Sequence, residues 1–362
     1  SKNFTCEPEF RNGPGAVSHK EKPWERWRPA RFYEELDRLY PYDRSYFYND
    51  RHLFDSWGLY FNLPNHTGGT TRIMAVPKDS RGPRLISAEP QEKMFYQKGL
   101  QIPLYWYLEH VAPCRGQINF TDQSTNGYLA QASSCDQSLA TLDLSKASDL
   151  LSLELVDALF ENTPIHEWLL SSRSTKARMP DGTEVHLKKY APMGNALTFP
   201  VQALTFYSLI VGRFEALGYR SAEARSMVWV YGDDIIVPVD LVDETIDVLT
   251  LFGLKINTEK SCFTGHFRES CGVDAWKGED ITPTRFKKVL GREVVTLEAW
   301  VSYCNDLFSK GYWRASDAIR RSVERKHGKL PCVSPGSPII GLHVWSSTHV
   351  HDANKNRLKY DK

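Results

Sequence analysis

The chain contains 362 residues, of which 41% are hydrophobic, so we expect a globular protein whose core is large enough for two or three subdomains. No apolar run approaches the roughly 20 residues that a membrane span requires, which predicts a soluble protein. The formal net charge of +1 neither supports nor excludes a nucleic-acid partner, because acidic residues elsewhere can balance a local basic channel.

The seven cysteines are scattered along the chain and form no Cys-x-x-Cys pair, which indicates a reducing compartment and argues against a zinc site. The sequence starts with Ser-Lys-Asn rather than Met and shows no basic-then-apolar leader. We therefore expect no signal peptide, and a chain that is a processed or trimmed piece of a longer protein.

Residues 1–70 are rich in aromatic, basic and turn residues, and they predict one short helix near 30–40. Residues 71–93 follow with two short strand-like pieces, which a Lys-Asp-Ser-Arg-Gly-Pro turn joins. This bent ribbon carries four cations: Arg72, Lys78, Arg81 and Arg84. A solvated hairpin would explain them, and so would a ribbon that holds the phosphates of a ligand.

A strand and then a helix are predicted in SLATLDLSKASDLLSLELVDALF, which starts at residue 138. The strand covers 139–144, and Asp143 lies at its end. The apolar residues that follow recur at helical spacing: Leu150, Leu151, Leu155, Leu159 and Phe160. Ser148 or Asp149 suits the N-cap of this helix, so capping is one interpretation of Asp149.

The next segment predicts a polar hairpin, a Gly-Asn turn at 194–195 and a long apolar helix from about Thr198 to Leu217. Pro200 fits the first turn of that helix, where its missing N–H removes no hydrogen bond.

Two adjacent carboxylates, Asp233 and Asp234, stand between the short apolar runs 228–230 and 235–237. Both runs are continuous and β-branched or aromatic, which predicts a hairpin of strands buried on both faces, with Gly232 at the bend. Neighbouring carboxylates at the edge of a buried hairpin repel one another, and a divalent cation between them would lower that cost. A surface turn with solvated acids is the alternative.

After this hairpin, DLVDETIDVLTLFG predicts an amphipathic helix that stops at Gly253, and LKINTEKSCF predicts a strand that leads to Lys260. FRESCGVDAWKGEDI predicts another hairpin. Two helices are predicted in the tail, roughly over 297–310 and 313–327, and the second is strongly basic. The order of elements predicts an α+β fold in which helices cover one face of a mainly antiparallel sheet.

In such a sheet, Asp143 can lie on the strand beside the hairpin, so that three acids converge. Carboxylates from different strands can hold two divalent ions about 3.5 to 4 Å apart, the arrangement that activates a 3′ hydroxyl and stabilises the leaving pyrophosphate in nucleotidyl transfer. Magnesium suits such a site because it takes oxygen ligands and retains waters.

Four segments, TLDLSKASD, PMGNALTF, VYGDDIIVP and FRESCG, occur in this order. Their order and intervals resemble motifs A, B and C and the following segment of viral RNA-dependent RNA polymerases, most of all the replicase (beta) subunit of the positive-strand RNA bacteriophages of the levivirus group. The resemblance covers roughly residues 70–290 and includes DQSTNGYLAQ ahead of motif A. It implies a right-hand polymerase fold and template-directed RNA synthesis from ribonucleoside triphosphates.

The resemblance also implies roles for the matching positions. Asp143 and Asp233 would be the main ligands of two Mg²⁺ ions, for which Mn²⁺ can substitute, and Asp234 would be a weaker or outer ligand. Lys260 would protonate pyrophosphate, although a solvated lysine after a strand explains it as well. The ribbon cations would be those of motif F and bind the nucleotide: Arg72, Lys78, Arg81 and Arg84.

Gly194 and Asn195 would form the flexible loop under the template and the nascent base pair, with Thr198 at the start of the helix behind it. Two positions depart from the family pattern. The second aspartate of motif A, Asp149, lies one position further along than in many RNA polymerases, and Gln202 stands where motif B often has asparagine. We expect four of these residues to contact the incoming nucleotide: Asp149, Asn195, Thr198 and Gln202.

The implied domains are the N-terminal region and fingers over 1–137, the palm over 138–163 and 193–285, a fingers insertion over 164–192 and a helical thumb over 286–362. The implied partners are the RNA template and product, nucleoside triphosphates, the host translation elongation factors Tu and Ts and a ribosomal protein. The resemblance implies that the protein works in the cytoplasm of the infected bacterial host.

Two other classes of protein stay open. A reverse transcriptase shares the palm and a Tyr-x-Asp-Asp hairpin, but its neighbouring motifs match this sequence poorly. At the position x, this chain has Gly232, the residue that RNA polymerases have there. An RNA-binding structural module, whose acids are only turn residues, would bind no metal through Asp143 and Asp233.

Overall fold

The computed structural model describes residues 7–47, 50–79, 82–286, 294–335, 337–343, 349–352 and 357–360. The chain divides into two compact units, Ser1–Ile281 and Thr282–Lys362. None of the helices within the described ranges combines the length and the hydropathy that a membrane span requires.

The helices of the first unit are α1 (Glu34–Leu39), α2 (Tyr42–Ser45), α3 (Asp50–Asp55), α4 (Trp57–Phe61), α5 (Gln91–His110), α6 (Ser124–Asp136), α7 (Ala147–Leu150), α8 (Leu153–Phe160), α9 (His166–Ser172), α10 (Thr198–Ala216), α11 (Ser221–Ser226) and α12 (Val242–Leu251). Its strands are β1 (Phe32–Tyr33), β2 (Asn65–His66), β3 (Thr70–Asp79), β4 (Gly82–Ala88), β5 (Leu139–Asp143), β6 (Lys176–Arg178), β7 (Glu184–His186), β8 (Trp229–Tyr231), β9 (Asp234–Pro238), β10 (Phe267–Ser270), β11 (Val273–Trp276) and β12 (Glu279–Asp280).

A three-stranded antiparallel sheet, in the order β5–β9–β8, contributes to the main hydrophobic core of the first unit. Three successive residues of β9, Ile235, Ile236 and Val237, have no exposed surface, so both faces of this strand are covered. Because neighbouring residues of a strand point to opposite faces, this burial explains why the sequence shows a continuous apolar run instead of an alternating one. Helices α6, α10 and α12 pack against the sheet.

The basic ribbon is an antiparallel pair of strands, β3 and β4, in which Arg72 lies opposite Ala88 and Val76 opposite Arg84. β3 also pairs with β6, and β6 with β7, so the predicted polar hairpin extends the same sheet in the order β4–β3–β6–β7.

The strand predicted in LKINTEKSCF does not form, and this prediction was wrong. Within the described segment 254–263, only two isolated bridges occur, Ile256 with Leu144 and Cys262 with Thr141. The backbone turns between them because the carbonyl oxygen of Asn257 accepts from the N–H groups of Lys260 and Ser261, at 3.1 and 2.9 Å. Lys260 therefore lies in a turn beside β5.

The predicted helix after β5 is interrupted and forms two helices, α7 and α8. Ser152 is the N-cap of α8, and its hydroxyl oxygen accepts from the N–H of Leu155 at 3.1 Å. Neither Ser148 nor Asp149 caps this helix, because both lie inside α7. The capping interpretation of Asp149 was therefore wrong.

The second unit contains α13 (Val294–Ser309), α14 (Trp313–His327), β13 (His349–Asp352) and β14 (Arg357–Tyr360). Its core includes Val301, Cys304 and Leu342. The basic helix α14 neutralises part of its own charge, since Arg320 forms ion pairs with Asp317 and Glu324 on the same helix.

Candidate active site

The β8–β9 hairpin brings its acidic tip to the same edge of the sheet as the end of β5. Asp143 lies directly opposite Asp234, and Gly232 and Asp233 form the two-residue loop between the strands. Gly232 has a φ of +67°, and a Cβ there would lie 2.1 Å from the Phe199 ring. Only glycine fits this bend, because it tolerates the left-handed backbone and leaves room for the ring. The bend fixes Asp233 at the tip.

A cleft of about 830 Å³ opens at this edge of the sheet. The predicted site residues that line it are Arg84, Asp143, Asp149, Gly194, Asn195, Thr198, Gln202, Asp233 and Lys260. They come from β4, β5, α7, the loop before α10, α10 itself, the hairpin and the turn after α12. The fold thus brings together residues that are far apart in the sequence.

Asp143 is held in place by a residue that sequence reasoning missed, Asn257. The amide nitrogen Nδ2 of Asn257 donates to Oδ2 of Asp143 at 2.7 Å, and its backbone N–H donates to the Asp143 carbonyl oxygen at 2.8 Å. In the sequence, Asn257 carries only the ordinary signal of a turn residue. Because one oxygen of Asp143 accepts from Asn257, the direction of the carboxylate is fixed.

The pKa values of both hairpin carboxylates, Asp233 and Asp234, are raised. Burial raises the pKa of Asp233, the nearby Asp143 raises it further, and Lys260 and Arg84 act in the opposite direction. Burial also raises the pKa of Asp234 to about 6, and the charges of Asp233 and Asp143 contribute. A cation at the edge of the sheet would relieve this repulsion.

The donor set fits magnesium held through two carboxylates. Asp143 and Asp233 both face the cleft, and a magnesium ion in a nucleotide site is usually bound through one or two carboxylates together with substrate phosphates and waters. Among the described residues, no group of three His, Cys, Asp or Glu side chains converges. The structure thus brings two of the three predicted carboxylates into the cleft.

Asp234 is not among the described residues that line the cleft. Its Oδ2 accepts from the backbone N–H of Cys271 at 3.3 Å and from the Cys271 thiol at 3.5 Å. Cys271 lies at the turn of the β10–β11 hairpin. The role of Asp234 as a weaker or outer metal ligand stays a prediction.

The predicted cations of the ribbon differ in position. Arg84 is exposed and lines the cleft, whereas Arg72 does not. The Arg72 guanidinium donates to the carbonyl oxygens of Ser18 and Val17, at 2.9 and 3.2 Å, so it holds the N-terminal segment. Lys78 lies in β3, and Arg81 lies outside the described residues.

The loop before α10 is fixed to the end of β4. Gly194 has a φ of +124°, and a Cβ there would lie 2.1 Å from the carbonyl oxygen of Ser87. The Ser87 N–H donates to the Met193 carbonyl oxygen at 2.7 Å. This close approach of two backbones requires glycine at 194.

The side chain of Asn195 is engaged within the protein. Its Oδ1 accepts from the N–H of Leu197 at 2.8 Å, and its Nδ2 donates to Oε1 of Glu89 at 3.1 Å. Glu89 is fully buried, and burial raises its pKa. Sequence reasoning missed Glu89 because its partners lie in distant segments. Asn195 therefore shapes the loop with its side chain, and contact with a nucleotide stays a prediction.

Thr198, Gln202 and Asp149 also line the cleft. Thr198 donates to the carbonyl oxygen of Pro192 at 3.1 Å, and Gln202 lies one helical turn further along α10. Asp149 is exposed to the cleft and forms an ion pair with Lys189, another residue that sequence reasoning missed.

The fold is similar to that of a solved viral polymerase. Over 71% of this chain, the structure superposes with a TM-score of 0.52 on 57% of an insertion-loop deletion mutant of the RNA-dependent RNA polymerase of a human picorbirnavirus, at 11% sequence identity. At this identity the likeness concerns the fold alone. The chain has the mixed helix-and-sheet fold of a viral RNA-dependent RNA polymerase.

Sequence comparison identifies the family to which the chain belongs. The model of the family described as RNA replicase, beta-chain, matches residues 64–320, and the chain belongs to this family. The resemblance drawn from the four motifs is confirmed.

Relatives with assigned names agree with this family. The RNA-directed RNA polymerase subunit beta of Escherichia virus Qbeta is 40% identical over 263 residues, which are 72% of this chain and 42% of that relative. The protein of the same name from Qbeta virus (strain MX1) is 38% identical over 59% of this chain and 34% of that relative. The RNA-directed RNA polymerase beta chain of Escherichia phage MS2 is 34% identical over 60% of this chain and 37% of its own length. The chain thus spans 34% to 42% of these three relatives.

Proposed function

We propose that this chain catalyses RNA-templated RNA synthesis and thereby replicates the single-stranded RNA genome of a phage. The observation that carries the proposal is the cleft in which Asp143, Asp233, Arg84 and Lys260 meet. Two carboxylates suit a divalent cation, and two cationic side chains suit a triphosphate. The names of the relatives support the same activity.

In the proposed reaction, the 3′ hydroxyl of the growing RNA attacks the α-phosphorus of a ribonucleoside triphosphate. The 3′ hydroxyl gives its proton to water as the new P–O bond forms, the bond from the α-phosphorus to the bridging oxygen breaks, and pyrophosphate leaves. Two Mg²⁺ ions held by Asp143 and Asp233, with Mn²⁺ as the substitute, would supply Lewis-acid stabilisation of the charge on the attacking and leaving oxygens. Lys260 donates a proton to the leaving pyrophosphate, and Arg84 holds the phosphates.

We also propose a domain organisation, a cellular location and partners for this chain. The palm comprises 138–163 and 193–285, the fingers 1–137 with the insertion 164–192, and the thumb 286–362. The division of the chain after Ile281 supports a boundary near 285. The chain works on RNA and nucleoside triphosphates in the cytoplasm of the infected bacterium, as a subunit with the elongation factors Tu and Ts and a ribosomal protein.

A primer-extension assay on an RNA template tests this function. We expect extension with ribonucleotides that depends on magnesium and on the template. Equal or better use of deoxynucleotides would indicate a reverse transcriptase. RNA binding without any magnesium-dependent product would indicate a structural RNA-binding module.

Replacement of Arg84 by Ala is expected to raise the KM for nucleotide at least about tenfold, because a charge-assisted contact to phosphate is worth ~1.5 to 3 kcal/mol. Arg72→Ala is the matched control. It should leave this KM near wild type and lower the unfolding temperature, because the Arg72 guanidinium contacts backbone carbonyls. Steady-state kinetics and thermal unfolding measure both effects. A near-neutral Arg84→Ala would favour the solvated hairpin.

Replacement of Asp149 by Asn is expected to lower the ratio of kcat/KM for a ribonucleotide to that for its 2′-deoxy analogue by at least about tenfold, on the order of 1.4 kcal/mol. A site that hydrogen-bonds the 2′ hydroxyl rejects the analogue that lacks it. Competition assays measure the ratio, and Glu154→Gln on the exposed surface of α8 is the control. An unchanged ratio would leave sugar selection to Thr198, Gln202 or Asn195.

A further inference from the structure

We propose that Lys189 is a positioning residue for sugar selection, which acts by holding Asp149 toward the incoming ribose. This inference rests on the proposed nucleotide site. It adds a residue that lies outside the four polymerase motifs and that the sequence pattern does not single out.

The ion pair leaves one oxygen of Asp149 available. The Lys189 ammonium donates to Oδ1 of Asp149. Within the described residues, Oδ2 has no hydrogen-bond partner in the protein, and the Asp149 side chain is 51% exposed at the cleft. An ionised carboxylate only accepts hydrogen bonds, and a ribose hydroxyl can donate one. Oδ2 can therefore accept from a sugar hydroxyl while Oδ1 stays on Lys189.

The backbone around Lys189 is held firmly. The buried Arg173 guanidinium donates to the carbonyl oxygens of Tyr190, Lys189 and Leu187, at 2.6, 3.1 and 3.2 Å. Three donors of one rigid planar group thus converge on this short segment. Lys189 is therefore presented from a fixed backbone.

The same segment is attached to the chain that follows Asp149. The Tyr190 N–H donates to the Leu151 carbonyl oxygen at 2.9 Å, and the Leu153 N–H donates to the Lys188 carbonyl oxygen at 3.0 Å. These bonds fix the distance between the two backbones. The ammonium therefore reaches Asp149 from a fixed backbone, and its hydrogen bond to Oδ1 orients the carboxylate.

Both side chains of the Lys189–Asp149 pair are partly exposed, which argues against a role of the pair in stabilising the fold. The Lys189 side chain is 25% exposed and that of Asp149 51%, and ion pairs with this much solvent contribute little to stability. Losing the pair should therefore leave the fold intact. Losing the orientation should alter the recognition of a hydroxyl group, because hydrogen bonds weaken steeply as their geometry departs from linearity.

The test compares Lys189→Met with Lys188→Met, a control at the exposed neighbouring lysine. We expect Lys189→Met to lower the ribo-to-deoxyribonucleotide ratio of kcat/KM at least about fivefold, with an unchanged unfolding temperature. Lys188→Met should keep the ratio within about twofold. Lys189→Arg should restore most of the preference, because arginine can donate to the same carboxylate oxygen.

A double variant shows whether Lys189 acts through Asp149. In the Asp149→Asn background, Lys189→Met should cause little further loss, since residues that act through one contact are not additive. Additive losses would mean that Lys189 contacts the nucleotide by itself and would overturn the proposal. An unchanged ratio in Lys189→Met would overturn it as well.

Equilibrium binding separates this inference from the proposed function. The affinities of the wild-type chain for ATP and 2′-dATP are measured in the presence of Mg²⁺ without any extension step. A preference for ATP that Lys189→Met removes supports the inference even if the chain synthesises no RNA. Equal affinities in the wild type would overturn it, even if RNA synthesis is observed.

Discussion

Replacing Asp233 by Asn is expected to reduce the turnover of nucleotide addition by several orders of magnitude while the affinity for RNA stays near that of the wild type. Asp233 is one of the carboxylates that line the cleft, and it is exposed at the tip of the hairpin. Losing a metal ligand removes stabilisation of charge in the transition state, whereas RNA affinity depends on phosphate contacts elsewhere. Single-turnover extension and filter binding measure the two quantities.

Asp240→Asn is the matched control for this variant. Asp240 is an exposed carboxylate in the turn that follows β9, outside the described lining of the cleft. It should behave as the wild type in both assays. Activity of Asp233→Asn within about threefold of the wild type, roughly 0.6 kcal/mol of barrier, would contradict the assignment of Asp233 as a metal ligand.

Replacing Glu35 by Ala is expected to destabilise the first unit by about 3 kcal/mol. Lys93 is buried, and its ammonium donates to Oε1 of Glu35 at 2.8 Å and to the carbonyl oxygen of Ser171 at 2.6 Å. Removing one partner of a buried pair costs ~3 to 5 kcal/mol, and the low end applies because the Glu35 side chain is 25% exposed. Chemical or thermal unfolding of the full chain measures the effect.

Glu34→Ala is a control one residue away. Glu34 pairs with Arg38 on the surface of α1, with side chains 61% and 69% exposed, so its loss should cost less than about 1 kcal/mol. Equal destabilisation by the two variants would show that the buried Lys93–Glu35 pair contributes no more to stability than the exposed Glu34–Arg38 pair.

The Glu35 variant should also become relatively more stable as the pH rises. Burial lowers the pKa of Lys93, and Glu35 partly opposes this effect, so the pKa falls further without Glu35. Between that lowered pKa and about 10.4, the unfolded chain binds a proton at Lys93 that the folded chain lacks, and stability rises with pH. The stability difference between Glu35→Ala and Glu34→Ala should therefore shrink toward alkaline pH. A constant difference would contradict a charged, unpaired Lys93 as its cause.

The hairpin and the cleft carboxylates could be predicted because their signals are local. A continuous apolar run on each side of Gly232 and Asp233 defines two buried strands, and the register then brings Asp143 opposite Asp234. The long helix α10 follows from its apolar run in the same way. The hairpin and α10 could be predicted because each depends on residues that are adjacent in the sequence.

The partners of the site residues could not be predicted, because they come from distant segments. Nothing near Arg72 in the sequence indicates that its guanidinium binds the carbonyl oxygens of Val17 and Ser18. The same holds for Glu89 under Asn195 and for Lys189 beside Asp149. A charged residue in a turn has one sequence signature whether it contacts solvent, backbone or ligand, so only the tertiary structure separates these cases.

The most direct measurement exchanges one base of an RNA template that is annealed to a short RNA primer, and identifies the ribonucleotide that the full chain adds next. RNA-templated synthesis in the cleft predicts that the added ribonucleotide changes to the complement of the exchanged base, and that Asp233→Asn adds none at a comparable rate. Addition of the same nucleotide on both templates, or no addition by a folded chain that binds the primed RNA, would contradict templated RNA synthesis by this chain.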